Sequence, residues 1–223
     1  MADVTLTYKG STIAEMNATG SKTLKTSGKY CEGDIGVSYV KPEGITSDEL
    51  AIKMITGNGT ITELPSGITI IGDYAFYENK NLALTSLPEG ITKIGKNAFY
   101  NCTNLALTSI PSMSSIGEYA FYYCSSLNIN TISASNIKER AFACCYGLTE
   151  ITINGETLIS YSAFMQCENL TKVTFNNSNV SISSGAFSSC PNLTNIYVPW
   201  AQGAVSGAPW GATNATIHYN TTT

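Results

Sequence analysis

Apolar side chains recur along this chain with a fixed long period, not with the short period of a single helix or strand. The dipeptide Ala-Phe occurs six times, at intervals of 21 to 23 residues. An isoleucine stands five residues before each phenylalanine, and a leucine stands six residues after it. The phenylalanines are Phe76, Phe99, Phe121, Phe142, Phe164 and Phe187. Such a period indicates a solenoid of stacked repeats, in which no repeat can close a core alone.

Two kinds of segment alternate within each repeat. In the last three repeats apolar and polar residues alternate after the leucine, as in Leu148-x-x-Ile151-x-Ile153, and this predicts a β-strand. In the first three repeats the second apolar residue comes one place earlier, so we expect a different strand register there. The Ala-Phe-x-x-Cys-x-x-Leu segment has apolar residues three apart, which predicts a short helix or 3₁₀ turn. The chain is therefore predicted to be an α/β repeat solenoid, a right-handed coil with parallel strands on its concave face.

The flanks of the repeats have other patterns. Residues 1–42 alternate apolar and polar positions between glycine-containing turns, which predicts a small β-rich module. Residues 43–223 form the predicted solenoid, with an N-terminal cap at about 43–65, six repeats at about 66–199 and a C-terminal cap at about 200–223. In the first cap Ser47 is a candidate N-cap before a short helical pattern. In the second, Trp200 and Trp210 are expected to cover the last repeat.

The repeats resemble the BspA-like leucine-rich repeats of bacterial surface proteins, whose pattern is close to I-G-x-x-A-F-x-x-C-x-x-L-x-x-I-x-I-P. The segments IGDYAFYENKNL, IGKNAFYNCTNL and IGEYAFYYCSSL carry this resemblance, and the last three repeats have Lys138, Ser160 and Ser183 in place of the glycine. Over about residues 60–200 the resemblance implies a leucine-rich-repeat fold and a role in adhesion or recognition, without naming a ligand. The first 42 residues also resemble short modules of prophage tail and tail-fibre-like proteins.

The amino-acid composition excludes several classes of function. Twelve Lys and Arg residues against 16 Asp and Glu residues give a net charge of −4, which is not the basic footprint of a nucleic-acid binder. Apolar runs are shorter than the ~18 residues of a membrane helix, and the start of the chain lacks the pattern of a secretion signal. The single histidine, His218, excludes most histidine-dependent catalysis and most zinc sites. We expect no catalytic residue, no cofactor and no metal ion.

Five of the seven cysteines share one column, three residues after the phenylalanine, where the first repeat has Asn79. They are Cys102, Cys124, Cys145, Cys167 and Cys190. Cysteine often behaves as a small buried hydrophobe, and no activating base is nearby in the sequence, so we predict a structural ladder of free thiols. Cys31 and Cys144 fall outside the column and are expected to be the exposed thiols. A thiol-dependent enzyme is the least favoured interpretation.

Two surfaces are candidates for ligand binding. Hydroxyl and amide side chains of the predicted strands are expected on the concave face: Asn128, Thr131, Thr149, Thr152, Thr171, Thr174 and Tyr197. Tyr77, Tyr100 and Tyr122 each follow a repeat phenylalanine and form the second candidate surface, because tyrosine offers apolar area with a polar tip. The alternative for these tyrosines is partial packing between coils.

These features predict a non-enzymatic recognition or adhesion protein that presents a rigid repeat surface to a protein or glycan ligand on a cell surface. A prophage tail-fibre-associated structural or receptor-binding protein is the alternative, and a scaffold with no ligand of its own is a third interpretation. No nucleic-acid partner and no membrane insertion are expected, whereas the N-terminal module is a candidate for self-assembly. The expected location is the cell surface or exterior, or a phage virion.

Overall fold

The computed structural model describes the backbone of residues 4–8, 11–16, 21–26, 31–39, 50–57, 60–61, 63–64 and 68–221, and the side chains of residues 63–64 and 68–221. These residues form 17 strands in three sheets. In chain order the strands are β1 (Val4–Tyr8), β2 (Ser11–Met16), β3 (Ser21–Thr26), β4 (Cys31–Tyr39), β5 (Leu50–Gly57), β6 (Thr60–Ile61), β7 (Ile68–Ile71), β8 (Lys93–Ile94), β9 (Ser115–Ile116), β10 (Thr131–Ser133), β11 (Asn136–Ile137), β12 (Glu150–Asn154), β13 (Thr157–Ile159), β14 (Lys172–Phe175), β15 (Val180–Ile182), β16 (Asn195–Tyr197) and β17 (Thr216–His218).

The solenoid has about seven coils, and its larger sheet passes through the isoleucine column. Strands β7, β8, β9, β11, β13 and β15 come from successive coils and pair in parallel. The repeat isoleucines pair with one another across this sheet: Ile71, Ile94, Ile116, Ile137, Ile159 and Ile182. The sheet continues through β5, which pairs in parallel with β7, to the antiparallel strands β4 and β3. Our sequence pattern did not predict this sheet, because its strands in the coils are only two to four residues long.

A second, five-stranded parallel sheet has the order β10, β12, β14, β16, β17. It contains the strands predicted after Leu148, Leu170 and Leu193, and these predictions are confirmed. In the first two repeats the corresponding segments contain no strand, although Leu84 and Leu107 are buried. A proline follows in each of these segments, and proline cannot donate a ladder hydrogen bond.

The turn that carries each repeat phenylalanine is not helical, so the predicted short helix is wrong. No residue in the described part of the chain is helical, and the solenoid there consists of strands and turns. In the first coil the N–H groups of Tyr74, Phe76 and Glu78 donate to carbonyls of the next coil at 2.7–2.8 Å. The residues between them donate three positions back within their own coil. A helix needs every N–H group for bonds within the segment, and here every second one stabilises the stack.

Left-handed backbone conformations bracket the phenylalanine in these turns. Eleven of the twelve residues two positions before or after a repeat phenylalanine have φ between 52° and 60°, Gly185 being the exception. They are Tyr74, Glu78, Asn97, Asn101, Tyr119, Tyr123, Arg140, Cys144, Ser162, Gln166 and Ser189. Such a conformation is uncommon for residues other than glycine. Bonds to the neighbouring coil hold it at nine of these residues, from Tyr74 to Cys144 and at Gln166, because their own N–H groups are inter-coil donors.

The segment before the repeats also differs from the expectation. Leu50–Gly57 is strand β5, so the short helix predicted after Ser47 is wrong. Strand β5 pairs with β4 on one side and with β7 on the other, so its backbone groups form hydrogen bonds as a strand. The strands β1 to β4 lie in the region predicted to be β-rich, and Ser47 itself is outside the described residues. The division into a module, two caps and six repeats remains a prediction.

The core consists of the predicted columns. All six repeat phenylalanines and all six repeat leucines have no exposed surface. Consecutive phenylalanine rings stack with centroids 5.1–5.3 Å apart and planes within 12° of parallel. This spacing continues the spacing of paired strands, so each ring packs on the same ring of the next coil.

Glycine after the repeat isoleucine permits close approach of the first coils. A Cβ atom on Gly117 would lie 2.5 Å from the carbonyl carbon of Gly95, so alanine does not fit there without a shift. Lys138 occupies the equivalent position in the next coil and keeps the same bond, from its N–H group to the carbonyl of Ile116. That bond is 3.0 Å long, against 2.8 Å for Gly117 to Ile94, so the turn survives the loss of glycine with a slightly wider spacing.

The last coil ends in an aromatic cluster. Trp210 is fully buried and contacts Phe175 and Trp200, with centroids 6.3 and 6.4 Å away. Its indole N–H donates to the carbonyl of Ser206 at 2.8 Å, and its own carbonyl accepts the N–H of Phe187. The described residues contain no helix long and apolar enough to span a bilayer.

Candidate functional site

The outward side of the five-stranded sheet is lined by polar side chains. Side chains alternate across a strand, so the apolar residues of β12 and β14 face the core and the residues between them face outward. The inter-strand register aligns these residues in rows. This polar sheet face consists of Thr131, Ser133, Glu150, Thr152, Asn154, Lys172, Thr174, Asn176, Asn195, Tyr197, Thr216 and His218.

A shallow depression of about 400 Å³ lies on this face. It is lined by Asn130, Thr131, Glu150, Thr152, Lys172, Thr174 and Asn176. Lys172 and Glu150 form an ion pair within it, and this contact raises the pKa of the lysine. Beside it, the amide of Asn176 donates to the side-chain oxygen of Asn154 at 2.9 Å. Amide, hydroxyl, carboxylate and ammonium groups therefore meet in one depression.

Two aromatic rings stand at one end of the polar sheet face. Tyr197 of β16 and His218 of β17 stack with centroids 4.4 Å apart and planes 11° from parallel. The imidazole Nε2 of His218 lies 2.9 Å from the side-chain oxygen of Asn195, which fixes the ring. The single histidine therefore belongs to the polar sheet face and supports a tyrosine there.

The structure brings together only some of the residues predicted for this surface. Thr131, Thr152 and Tyr197 lie on the polar sheet face, and Thr174 lies there with only 8% of its surface exposed. Asn128, Thr149 and Thr171 are exposed but precede their strands, so they lie outside the paired rows of this face. The hydroxyl of Thr171 instead donates to the carbonyl of Thr149 in the preceding coil at 3.0 Å.

Sequence reasoning missed Glu150, Lys172 and Asn195, which share one row of the polar sheet face with Thr216 of β17. The signal was present in the alternation itself. With Ile151 and Ile153 facing the core, the side chain that shares a face with Thr152 is residue 150, not residue 149. The charged pair of the depression follows from that rule.

The three tyrosines of the second candidate surface form a continuous stack. The Tyr77 and Tyr100 rings are 4.9 Å apart, and the Tyr100 and Tyr122 rings are 5.0 Å apart, with planes within 13° of parallel. Burial raises the pKa of Tyr122, with a further contribution from Cys144. Tyr77 is 43% exposed, whereas Tyr100 and Tyr122 are half-buried. Both the recognition surface and the packing interpretation remain open for this stack.

Each ladder cysteine links two coils by hydrogen bonds. The thiol of Cys102 donates to the carbonyl of Phe76 in the preceding coil at 2.9 Å, and its backbone N–H donates to Phe99 in its own coil at 3.1 Å. The same thiol bond, at 3.0–3.2 Å, is made by Cys124, Cys145, Cys167 and Cys190. The thiol therefore occupies the second acceptor site of a buried carbonyl, which a purely apolar side chain would leave empty.

Comparison with known proteins assigns the chain to a family. Residues 56–161 and 135–203 match the BspA type leucine-rich repeat region, in six copies. The chain belongs to the BspA-type leucine-rich repeat family. Members are typically protein-interaction or surface proteins without enzymatic activity. No curated protein matches the chain.

Solved structures of bacterial leucine-rich repeat proteins are similar to this family member. The T. pallidum leucine-rich repeat protein TpLRR has 25% identity and a TM-score of 0.47, over 83% of this chain and 80% of that one. A leucine-rich repeat protein from Bacteroides ovatus has 14% identity and a TM-score of 0.31, over 82% and 75%. A leucine-rich cell surface protein from Faecalibacterium prausnitzii has 16% identity and a TM-score of 0.25, over 83% and 93%.

Burial determines the chemistry of the cysteine ladder in this leucine-rich repeat protein. It raises the pKa of Cys102 from 9.0 to about 12 and also raises the pKa values of Cys124, Cys145 and Cys167. The side-chain interaction with Cys167 lowers the pKa of Cys190. Because Cys102 is neutral when folded, its contribution to stability is complete below about pH 9 and is lost as the pH rises towards 12.

The prediction that Cys144 is exposed is wrong. Cys144 is only 3% exposed, since its thiol is turned to Gln166 of the next coil at 3.6 Å. The side chain of Cys31 lies outside the described residues. All six cysteines whose side chains are described are buried and free of disulfide bonds.

The ladder thiols are expected to resist alkylation in the folded protein, with Cys190 the first of them to react. Iodoacetamide attacks thiolates, and at about pH 8.5 the raised pKa values keep Cys102 and Cys124 neutral, besides their burial. Peptide mapping by mass spectrometry gives the labelling rate of each cysteine, with the guanidinium-unfolded chain as the control. Native labelling of Cys124 as fast as in the unfolded chain would contradict the prediction.

Proposed function

We propose that this chain is a non-enzymatic recognition protein that presents the polar sheet face to a protein or glycan ligand at a cell surface. The observation that carries the proposal is the polar sheet face itself. Twelve side chains able to form hydrogen bonds stand in register on one sheet, over a core without exposed surface. Membership of a family of interaction and surface proteins supports the same role.

Rigidity of the support favours recognition by a preformed surface. The core side chains beneath the face, among them Ile151, Ile153 and Val173, are buried and stacked on the equivalent residues of neighbouring coils. A surface that is ordered before binding loses little conformational freedom when the ligand arrives. The ladder thiols stabilise this stack, and burial raises the pKa values of Cys124, Cys145 and Cys167, which keeps these thiols neutral.

The experiment is an array of host-cell proteins and glycans probed with the full chain and with two variants. Thr152→Arg places a large cation in the middle of the polar sheet face, and Ser181→Arg makes the same change on the outward side of strand β15. We expect ligand retention by the wild-type chain and by Ser181→Arg, and loss of it in Thr152→Arg. Retention of every ligand by Thr152→Arg would contradict the proposal, as would an array without any retained ligand.

A further inference from the structure

We propose that the ligand of the polar sheet face is a neutral oligosaccharide, bound in the depression with one sugar ring against Tyr197. This inference rests on the proposed function and names the ligand class for the same surface. It is carried by four observations: the donor and acceptor chemistry of the depression, its charge balance, the position of the Tyr197 ring beside the depression and the spacing of the strands.

Every side chain that lines the depression can form hydrogen bonds. Its lining includes three threonine hydroxyls, two asparagine amides, one carboxylate and one ammonium group. Sugar hydroxyls both donate and accept, so amides and charged groups that fix them in place suit this lining. Binding sites for proteins are instead centred on buried aromatic, methionine and arginine side chains, and the lining has none of these.

The charges of the depression cancel. Glu150 and Lys172 are paired with each other, and no other ionised side chain lines the depression. A sulfated or otherwise anionic glycan would find a lysine that is already neutralised, and a cationic ligand would find the carboxylate in the same state. The pair therefore acts as an oriented acceptor and donor for an uncharged ligand.

The Tyr197 ring stands at the end of the face, on the strand next to the depression. Strand β16 lies between β14 and β17, and His218 of β17 covers one side of the Tyr197 ring. The opposite side is therefore turned towards Thr174, which lines the depression. A pyranose ring has an apolar C–H side and polar edges, so it can lie against the tyrosine while its hydroxyls contact Thr174 and Lys172.

The repeat distance of the sheet suits a chain of sugars. Adjacent strands of a sheet are about 4.8 Å apart, which is close to the length of one pyranose residue in an extended oligosaccharide. The depression extends over β10, β12 and β14, and Tyr197 stands on the next strand. Successive sugars can therefore contact successive rows, each with a hydroxyl or amide side chain.

The test begins with an array of neutral oligosaccharides that differ in sugar and linkage, with sulfated and sialylated glycans as comparators. The strongest neutral probe is then titrated calorimetrically into the full chain, and saturation-transfer NMR identifies the sugar protons that contact the protein. We expect at least one neutral probe to bind saturably, and we expect no charged probe to bind with higher affinity. Tyr197→Ala should weaken binding by about tenfold, because stacking on the ring is lost.

Two matched variants separate stacking from folding. Tyr197→Phe keeps the aromatic ring and should bind within about threefold of the wild-type chain. Tyr161→Ala removes a tyrosine that is 55% exposed and lies outside the polar sheet face, and it should not change binding. Melting curves of all three variants show whether each is folded at the temperature of the titration.

Several results would overturn the inference: no neutral probe binds, charged probes bind more tightly, or folded Tyr197→Ala binds as the wild-type chain does. A protein ligand that is retained by the wild-type chain and lost in Thr152→Arg, with no oligosaccharide retained, would refute the glycan and leave the proposed recognition function intact. An array without any face-dependent ligand would refute both.

Discussion

Replacing Phe121 with alanine is expected to lower the free energy of unfolding by about 3–5 kcal/mol. Phe121 has no exposed surface and stacks between Phe99 and Phe142 at 5.1 Å on each side. Its removal deletes two ring contacts and leaves a cavity in the middle of the stack, where neither neighbouring coil can collapse without losing inter-coil hydrogen bonds.

Chemical denaturation monitored by circular dichroism measures this loss. Ser126→Ala, an exposed change five residues further along the same coil, is the control and should alter the free energy of unfolding by no more than about 0.5 kcal/mol. Phe121→Leu refills part of the cavity and should fall between the two. An unchanged melting temperature in Phe121→Ala would show that the phenylalanine stack does not hold the coils together.

Replacing Trp210 with alanine is expected to cost a similar amount, about 3–5 kcal/mol, with an effect concentrated at one end of the chain. Trp210 is fully buried against Phe175 and Trp200. In a solenoid each coil is stabilised mainly by its neighbours, so loss of this contact weakens the last coil first.

Hydrogen exchange with mass spectrometry distinguishes such local loss from uniform destabilisation. Peptides from residues 187–200 should lose protection in Trp210→Ala more than peptides from residues 99–121, which lie four coils away. Gln202→Ala changes an exposed residue of the same terminal segment and should leave both protected. Equal loss of protection along the whole chain would contradict the prediction.

The columns of the repeat were predictable because they depend on spacing alone. Phe76 and its five equivalents stand at fixed offsets from an isoleucine and a leucine, and one burial pattern serves all of them. The strands after Leu148, Leu170 and Leu193 followed from alternation over a few residues. The pattern does not predict the hydrogen bonds and contacts between neighbouring coils.

Three misplacements have that common cause. The turn around Phe76 has helical spacing, but every second N–H group donates to the next coil. Cys144 is one position out of the ladder and is nevertheless buried, because the next coil supplies Gln166. The ladder cysteines were expected to act only as small hydrophobes, yet each thiol bonds a carbonyl of the coil before it. Interactions between elements about 22 residues apart override the local preference.

The polar sheet face was predicted as a location but only partly as a set of residues. Thr152 and Tyr197 follow from the strand pattern, whereas Glu150 and Lys172 required the alternation to be extended by one residue. His218 stacks on Tyr197 because β16 pairs with β17. Strand β17 belongs to no repeat, so the repeat spacing did not predict this contact.

The backbone bonds between coils recur between the same positions of the repeat at one junction after another. The N–H of Phe76 reaches Ala98, that of Phe99 reaches Ala120, and that of Phe121 reaches Ala141. At these junctions the donors that leave one coil match the acceptors of the next, so an internal coil of this type can be duplicated or deleted without a new kind of junction. Each such event changes the length of the stack by one strand spacing, about 4.8 Å. The length of the stacked sheets is thus set in whole coils, and can change by recombination with no point substitution.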